Sequence, residues 1–209
     1  MTAAGNLYPK YTTGNPAARR LVTRFRASLD AAIDLAAPAS VLDVGCGEGV
    51  LTAAWAAERP AIERVVGVDV EDPRLRAEWA VHTGAGLELQ AIPPAPPLPF
   101  PDDAFDLVAA IEVLEHVAEP DTLFAELVRV ARSHVLVSVP REPLWRMLNV
   151  ARGAHLRALG DTPGHRQHFS RRSLARFVAR RGQVLTVRGP VPWTVALAQV
   201  APAAAAISP

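Results

Sequence analysis

Short apolar runs that alternate with helical patterns constrain the fold of this chain more than any other feature of its sequence. Five runs follow one another, namely VLDV, RVVGVDV (64–70), LELQAI (87–92), FDLVAAI (105–111) and HVLVSVP (134–140). They have the length of strands, and most have too few polar positions for a strand that faces water on one side. Because helical spacing fills the intervals, the pattern predicts an α/β fold: a doubly wound, mostly parallel sheet with helices on both faces.

The flanking segments are predicted to be helical as well. Residues 16–36 carry apolar side chains at helical spacing after Asn15, and 73–82 and about 119–131 predict further helices. Residues 93–104 contain six prolines and can form only extended coil. We expect these helices to cover the sheet.

The pattern changes after Pro140. Residues 143–159 predict an amphipathic helix, with Leu144, Leu148, Ala151, His155 and Leu159 on one side and Arg146 and Arg157 opposite. Ser170 is a plausible cap for a following helix. QVLTVRG and PWTVALAQ then predict two adjacent strands, an antiparallel hairpin at the C-terminus.

Composition narrows the class of protein. The chain has 209 residues, half of them hydrophobic, which suits one domain with a single core and argues against disorder. No apolar run approaches the roughly 20 residues that span a bilayer, and MTAAGNLYPK lacks the pattern of a secretory signal. One cysteine cannot form an internal disulfide. We therefore expect a cytoplasmic protein.

The net charge of +1 hides an uneven distribution. Residues 30–126 hold nineteen acidic side chains against four arginines, whereas 141–189 hold eleven arginines against two acidic side chains. The basic part could face an anionic substrate, nucleic acid or a membrane surface, or it could be a solvated face. The charge alone does not select among these partners.

The glycine cluster DVGCGEG (43–49) follows the first predicted strand and admits two interpretations. A dinucleotide site uses G-x-G-x-x-G, whereas the glycines here are Gly45, Gly47 and Gly49. Asp43 precedes them and would repel a pyrophosphate, but it suits a ligand that carries an ammonium and a sulfonium group. Cys46 lies within the loop, and we interpret it as a packing residue because no base is near it in sequence.

Asp69 ends the second predicted strand, 24 residues after Gly45. A carboxylate there can accept hydrogen bonds from both hydroxyls of a ribose. NAD and S-adenosylmethionine share that ribose, so an NAD-linked dehydrogenase stays open on this residue alone. Together with Asp43, Asp69 favours the methyl donor.

With these motifs the chain resembles the class I S-adenosylmethionine-dependent methyltransferases. VLDVGCGEGVLT, VVGVDV and LPFPDDAFDLVAAIEVLEHV are similar to the family's successive motifs over about 38–140. The resemblance implies a seven-stranded sheet whose last strand is antiparallel. It also implies that Asp43, Gly45, Cys46 and Gly47 line the methionine portion of the donor, that Asp69 holds the ribose, and that Val70 flanks the adenine.

The resemblance also suggests a division of one methyltransferase domain, 1–209. Its parts would be a helical lid (1–37), the donor-binding core (38–140), a substrate-facing helical insertion (141–169), a helix and strand pair (170–200) and a frayed tail (201–209). One position departs from the family: Pro94 stands where relatives carry an acidic residue that meets the adenine amino group. The contact would then come from backbone or from a neighbour such as Gln90.

Candidate catalytic residues follow the fourth predicted strand, beside the point where strand order reverses and ligands bind. Glu112, Glu115 and His116 are spaced so that one helical turn would place them on one face. Methyl transfer to a hydroxyl requires alignment and removal of a proton. His116 is the natural acceptor because an ordinary imidazole titrates near neutral pH.

Two groups of relatives suggest a sharper alternative. E-x-x-E-H together with GHRQHF resembles the ubiquinone-pathway O-methyltransferases and RNA-terminal ribose methyltransferases, in which two glutamates and two histidines hold a divalent ion that binds a vicinal diol. By position the ligands would be Glu112, Glu115, His116 and His165, with His168 as a substitute. Mg²⁺, Mn²⁺ or Zn²⁺ would suit this set.

The acceptor side is less defined. Tyr11 lies in the segment that forms a lid in relatives, and Trp145 and Met147 lie in the insertion, where they line a pocket or pack the helix. His165 and His168 follow in the polar turn. A basic helix with a tryptophan could also contact a membrane peripherally.

We predict a methyltransferase that acts on a small or lipid-like acceptor, at oxygen, with His116 as base. Nucleic acid is not the expected partner. The alternatives are a metal-assisted enzyme for a catechol or terminal ribose diol, and a non-catalytic nucleotide- or partner-binding module with the same fold.

Overall fold

The computed structural model describes residues 14–151, 159, 161–162 and 164–202. The helices are α1 (Pro16–Ala36), α2 (Val50–Glu58), α3 (Pro73–Trp79), α4 (Pro120–Val130), α5 (Leu144–Ala151) and α6 (Arg171–Val178). The strands are β1 (Ser40–Val44), β2 (Arg64–Val70), β3 (Leu87–Ile92), β4 (Phe105–Ile111), β5 (Ala131–Pro140), β6 (Gln183–Arg188) and β7 (Trp193–Gln199).

The seven strands form one sheet in the order β3-β2-β1-β4-β5-β7-β6. Neighbours from β3 to β5 pair in parallel, and β7 is antiparallel to both β5 and β6. This confirms the predicted doubly wound sheet with its C-terminal antiparallel pair. Strand order reverses between β1 and β4, so the carboxyl ends of these two strands border the crevice where such sheets bind ligands.

Alternate residues of the strands enter two hydrophobic layers. Leu42 and Val108 pack with α4 and α6 on one face, whereas Val41 and Leu107 pack with α1 and α2 on the other. Both faces are buried, which explains why the strands read as nearly continuous apolar runs. At about 25 cal/mol per Å² of apolar surface, these layers supply the main driving force for folding.

Several helix starts agree with the sequence. The side chains of Asn15 and Asp72 accept backbone hydrogen bonds at the starts of α1 and α3, and Ser170 forms a capping box with Ser173 at α6. The predicted helix 73–82 ends at Trp79, because the chain then turns back toward the glycine loop. The proline-rich segment 93–104 contains neither helix nor strand, as predicted.

The insertion differs from its predicted pattern. The described helix is α5, and residues 152–158, with His155 and Arg157, lie outside the described residues. Leu148 is exposed and Met147 is 64% exposed, whereas Asn149 on the opposite side is buried. Packing of Met147 against the core, one of the two expectations for this side chain, is therefore wrong, and Leu148 of the predicted apolar side is not buried. Instead Trp145 and Asn149 turn inward, where both hydrogen-bond to Thr162.

None of the helices in the described part of the chain combines the length and apolar character that crossing a bilayer requires.

Candidate active site

The glycine loop leaves the carboxyl end of β1 through three left-handed residues, Gly45 (φ 77°), Gly47 (φ 55°) and Gly49 (φ 78°). A Cβ on Gly45 would lie 2.5 Å from Cγ2 of Val113, so the loop packs directly on the turn after β4. A Cβ on Gly47 would meet no atom within 4 Å. Glycine at 47 therefore keeps an open cradle beside the backbone, as a close ligand approach requires.

Asp69 lies across this cradle. Its carboxylate accepts hydrogen bonds from the amides of Gly47 (2.8 Å) and Val70 (2.7 Å). Burial raises the pKa of Asp69 despite these two bonds. Because an ionised carboxylate offers about four acceptor positions, two stay available, which fits the two vicinal hydroxyls of a ribose.

Asp43 supplies a second buried carboxylate on the other side of the loop. It is 2% exposed, and its Oδ2 accepts a hydrogen bond from Thr52 at 2.7 Å. Burial first, and then the charges of Asp43 and Asp69, raise the pKa of the Cys46 thiol. The loop is therefore a negative environment that favours a cationic ligand, and it makes Cys46 a poor nucleophile.

The outer side of the loop is held by α3 and the segment after it. Trp79 donates its indole hydrogen to the carbonyl of Gly47 (2.8 Å), and a ring nitrogen of His82 lies 3.0 Å from the carbonyl of Glu48. Both side chains line a cavity of about 320 Å³ against β3. Sequence reasoning missed these supports, since nothing local connects residues more than thirty positions apart.

At the predicted adenine end of the donor site, Pro94 takes the place of the acidic residue that relatives carry. Gln90 pairs with Val68, and Asp69 pairs with Ala91. Since side chains alternate along a strand, Gln90 and Asp69 project to opposite faces of the sheet. Val70 is buried directly after Asp69.

The turn after β4 is not the helix that was predicted for Glu112, Glu115 and His116. Glu112 adopts a left-handed conformation (φ 58°), and its amide is bonded to the carbonyl of Ser138 on β5. Its Oε1 accepts a 2.6 Å hydrogen bond from the indole of Trp193. With Glu112 left-handed, the chain does not form a helical turn here, and the carboxylate of Glu112 is bonded to β7.

The segment 164–167 lies on this turn. The carbonyl of Glu115 accepts hydrogen bonds from the amides of Arg166 (2.7 Å) and Gln167 (3.1 Å), and Nδ1 of His116 lies 3.2 Å from the carbonyl of Gly164. A carbonyl can only accept, so Nδ1 carries the hydrogen in this contact. The neutral imidazole of His116 then has its lone pair at Nε2.

An aromatic row extends from His116 toward α1. Ring centroids are 5.0 Å apart for His116 and His165, 6.3 Å for His165 and Trp145, 6.1 Å for Trp145 and Trp193, and 4.6 Å for Trp193 and Phe25. Trp145 is half-buried. Burial, and then the neighbouring His116, lower the pKa of His165 to about 4. The row forms an aromatic wall beside His116.

Only part of the predicted metal set converges. Among the described residues, Glu115, His116 and His165 bring one ligand atom each within 4.8 Å of one another. Glu112 is not a member of this group because it is bonded to Trp193. His168, the predicted substitute, lies instead with Glu142 and Asp161. Three of the four predicted ligands thus lie together in this structure, and the full set stays a prediction. Tyr11 lies outside the described residues.

Comparisons with known proteins agree with this arrangement. Residues 42–139 match the model of a methyltransferase domain family. The ajmaline N-methyltransferase of Rauvolfia serpentina is 31% identical over 105 residues, which cover 49% of this chain and 35% of that protein. A ubiquinone biosynthesis O-methyltransferase of Idiomarina loihiensis is 38% identical over 85 residues, 40% of this chain and 34% of that protein. The chain thus spans about a third of the length of these two curated relatives.

A solved structure shares the fold across nearly the whole chain. The magnesium protoporphyrin IX methyltransferase of Synechocystis, crystallised with S-adenosylhomocysteine, superposes with a TM-score of 0.63 at 17% identity. The match covers 92% of this chain and 91% of that one. The family match over residues 42–139, the sheet order and the glycine loop between Asp43 on β1 and Asp69 on β2 support a class I S-adenosylmethionine-dependent methyltransferase.

Proposed function

We propose that this chain transfers the methyl group of S-adenosylmethionine to an oxygen atom of a small or lipid-like acceptor, with His116 as general base. The observation that carries the proposal is the contact between Nδ1 of His116 and the carbonyl of Gly164. It leaves Nε2 as the proton acceptor. The turn that bears His116 also contacts the donor loop through Val113 and Gly45.

The donor would occupy the loop that Asp43 and Asp69 flank. Asp69 would accept the ribose hydroxyls with its two remaining acceptor positions, and Asp43 would attract the ammonium and sulfonium charges. The open cradle at Gly47 supports backbone contact with the methionine portion. When bound, S-adenosylmethionine supplies an activated methyl group, so the chain needs only to align the acceptor, exclude water and remove a proton.

The neighbours of His116 suit this task. Glu115 is buried, and a carboxylate oxygen lies within 4.8 Å of a ring nitrogen of His116, which would stabilise the imidazolium that forms when the proton is taken up. Glu112 would act as a positioning residue, because its bond to Trp193 fixes the aromatic row.

The acceptor would lie against that row. Trp145 and uncharged His165 offer aromatic surface rather than ionic contacts, which favours a flat or apolar acceptor over nucleic acid. Met147, Leu148 and Val150 expose an apolar face on α5, which would allow a lipid-like acceptor or a membrane surface to approach from outside.

The test measures S-adenosylhomocysteine release by the purified chain with a panel of phenols, catechols, amines and a detergent-solubilised lipid phenol. For a hydroxyl acceptor, His116→Gln is expected to lower kcat about 10²- to 10⁴-fold, the usual contribution of a general base. The loss should shrink at high pH, where the acceptor ionises unaided. His82→Gln, a histidine on the outer side of the loop, is the matched control. Product with the methyl group on nitrogen, or unchanged turnover in His116→Gln, contradicts the proposal.

A metal-assisted O-methyltransferase for a vicinal diol is the second candidate. The convergence of Glu115, His116 and His165 favours it, since carboxylate and imidazole together suit Mg²⁺, Mn²⁺ or Zn²⁺. Catechol methylation that is abolished by a chelator and restored by one of these ions would support it. Equal activity with and without the chelator would leave the metal-free mechanism.

A further inference from the structure

We propose that Glu142, Asp161 and His168 form a divalent transition-metal site at the base of the insertion, separate from the group around His116. Each residue places one ligand atom within 4.8 Å of the other two. Glu142 lies just before α5, and Asp161 and His168 lie in the segment between α5 and α6. Metal binding here does not depend on methyl transfer.

The three side chains are close together without being hydrogen-bonded to one another. Nδ1 of His168 lies 3.8 Å from Oε1 of Glu142, and Nε2 lies 3.7 Å from Oδ2 of Asp161, and both distances are too long for a hydrogen bond. An imidazole binds one ion through one nitrogen, and one ring nitrogen lies within 4.8 Å of an oxygen of each carboxylate. Nitrogen and oxygen ligands about 2.1 Å from a tetrahedral ion lie roughly 3.4 Å apart, so a rotation of the side chains that brings these three atoms closer would complete the site.

Burial supplies the second, independent observation. The side chain of Glu142 is only 11% exposed, and both of its carboxylate oxygens are shielded from solvent. The backbone amide of Arg146 approaches this carboxylate, but no side chain among the described residues donates a hydrogen bond to it. Oδ1 of Asp161 is shielded in the same way. A buried carboxylate beside a half-buried one is repelled by it, and the pair is costly unless a cation compensates the charges.

The surrounding charges do not provide that compensation. The guanidinium of Arg146 donates its Nε hydrogen to the carbonyl of Leu159 instead. A bound divalent ion would hold both carboxylates ionised.

The position of the site gives the ion a structural task. The amide of Glu142 is bonded to the carbonyl of Phe169, which joins the two ends of the insertion. Asp161 precedes Thr162, whose hydroxyl accepts hydrogen bonds from Trp145 (2.8 Å) and Asn149 (3.1 Å). An ion on Glu142, Asp161 and His168 would therefore fix the wall against which the acceptor is proposed to lie.

Two carboxylates with one imidazole form a donor set for Zn²⁺ or Mn²⁺, and three protein ligands leave room for water. The test titrates the full chain, first treated with a chelator, with ZnCl₂ by calorimetry and with MnCl₂ by electron paramagnetic resonance. We expect the wild type to bind one ion at this site. In Asp161→Asn and in His168→Gln the Kd for that ion should be at least tenfold weaker. His165→Gln is the matched control and should retain that site.

Thermal melting provides a readout that is independent of activity. Zn²⁺ should raise the Tm of the wild type and of His165→Gln, but not of His168→Gln, because an ion that binds only the folded state stabilises it. Circular dichroism checks that each variant is folded, and the two substitutions test the site separately. No binding by the wild type, or binding that survives in Asp161→Asn and His168→Gln but is lost in His165→Gln, overturns the proposal.

Discussion

Asp69→Asn tests the proposed donor site most directly, since it removes one charge and keeps the size of the side chain. The carboxylate of Asp69 already accepts hydrogen bonds from Gly47 and Val70. An asparagine has one acceptor oxygen, so at least one proposed ribose hydroxyl loses its partner. A hydrogen bond to a charged group is worth about 1.5–3 kcal/mol, which corresponds to roughly 10- to 150-fold weaker binding of S-adenosylhomocysteine.

Stability should change little in the same variant. Burial raises the pKa of Asp69 in the folded chain above its value in the unfolded chain. Between these two values the folded chain binds more protons, so the ionised carboxylate lowers stability as pH rises through the interval. Removal of the charge offsets the loss of a backbone hydrogen bond, and we expect a Tm close to that of the wild type.

The assay is calorimetric titration of both proteins with S-adenosylhomocysteine and with its 2′-deoxyribose analogue. The wild type should bind the analogue more weakly than it binds S-adenosylhomocysteine. Asp69→Asn should bind the two ligands with similar affinity. Glu71→Gln, an exposed carboxylate paired with Arg76, controls for general loss of negative charge. Equal affinity of Asp69→Asn and the wild type for S-adenosylhomocysteine would refute the role of this carboxylate.

Further predictions concern the donor's pH dependence and the packing of the site. The pKa of Asp69 is raised, so the wild type should lose affinity for S-adenosylhomocysteine on acidification at a higher pH than an ordinary aspartate, with a pKa near 3.9, would give. The same pH dependence of the affinity in the wild type and in Asp69→Asn would contradict this. Gly45→Ala should cost about 2–5 kcal/mol of unfolding free energy, from backbone strain and the overlap with Val113, and Gly47→Ala only about 1–2; equal losses in denaturant unfolding would remove the steric argument. Trp193→Phe should cost about 1–3 kcal/mol because the buried carboxylate of Glu112 loses a donor, and Glu112→Gln in the same chain should recover part of it; additive losses would show that the bond contributes nothing.

The succession of strands along the chain and the glycine loop could be predicted because local signals carry them. A buried parallel strand is an apolar run, and a left-handed turn beside a ligand requires glycine. Thus β2, β3 and β4 have the predicted bounds, and Asp69 and Gly47 meet at the carboxyl ends of the neighbouring strands β2 and β1.

The surroundings of His116 depended on tertiary contacts. Glu112 is left-handed, so Glu112, Glu115 and His116 do not form the predicted helical turn. The carboxylate of Glu112 accepts a hydrogen bond from Trp193, 81 positions away. Likewise Thr162 draws Trp145 and Asn149 inward and leaves Leu148 in solvent. The sequence by itself determined the sheet and the loop with its two aspartates. Only the folded chain decided which side chains face His116, because spacing along a chain reports local periodicity and not which distant donor a buried polar group will find.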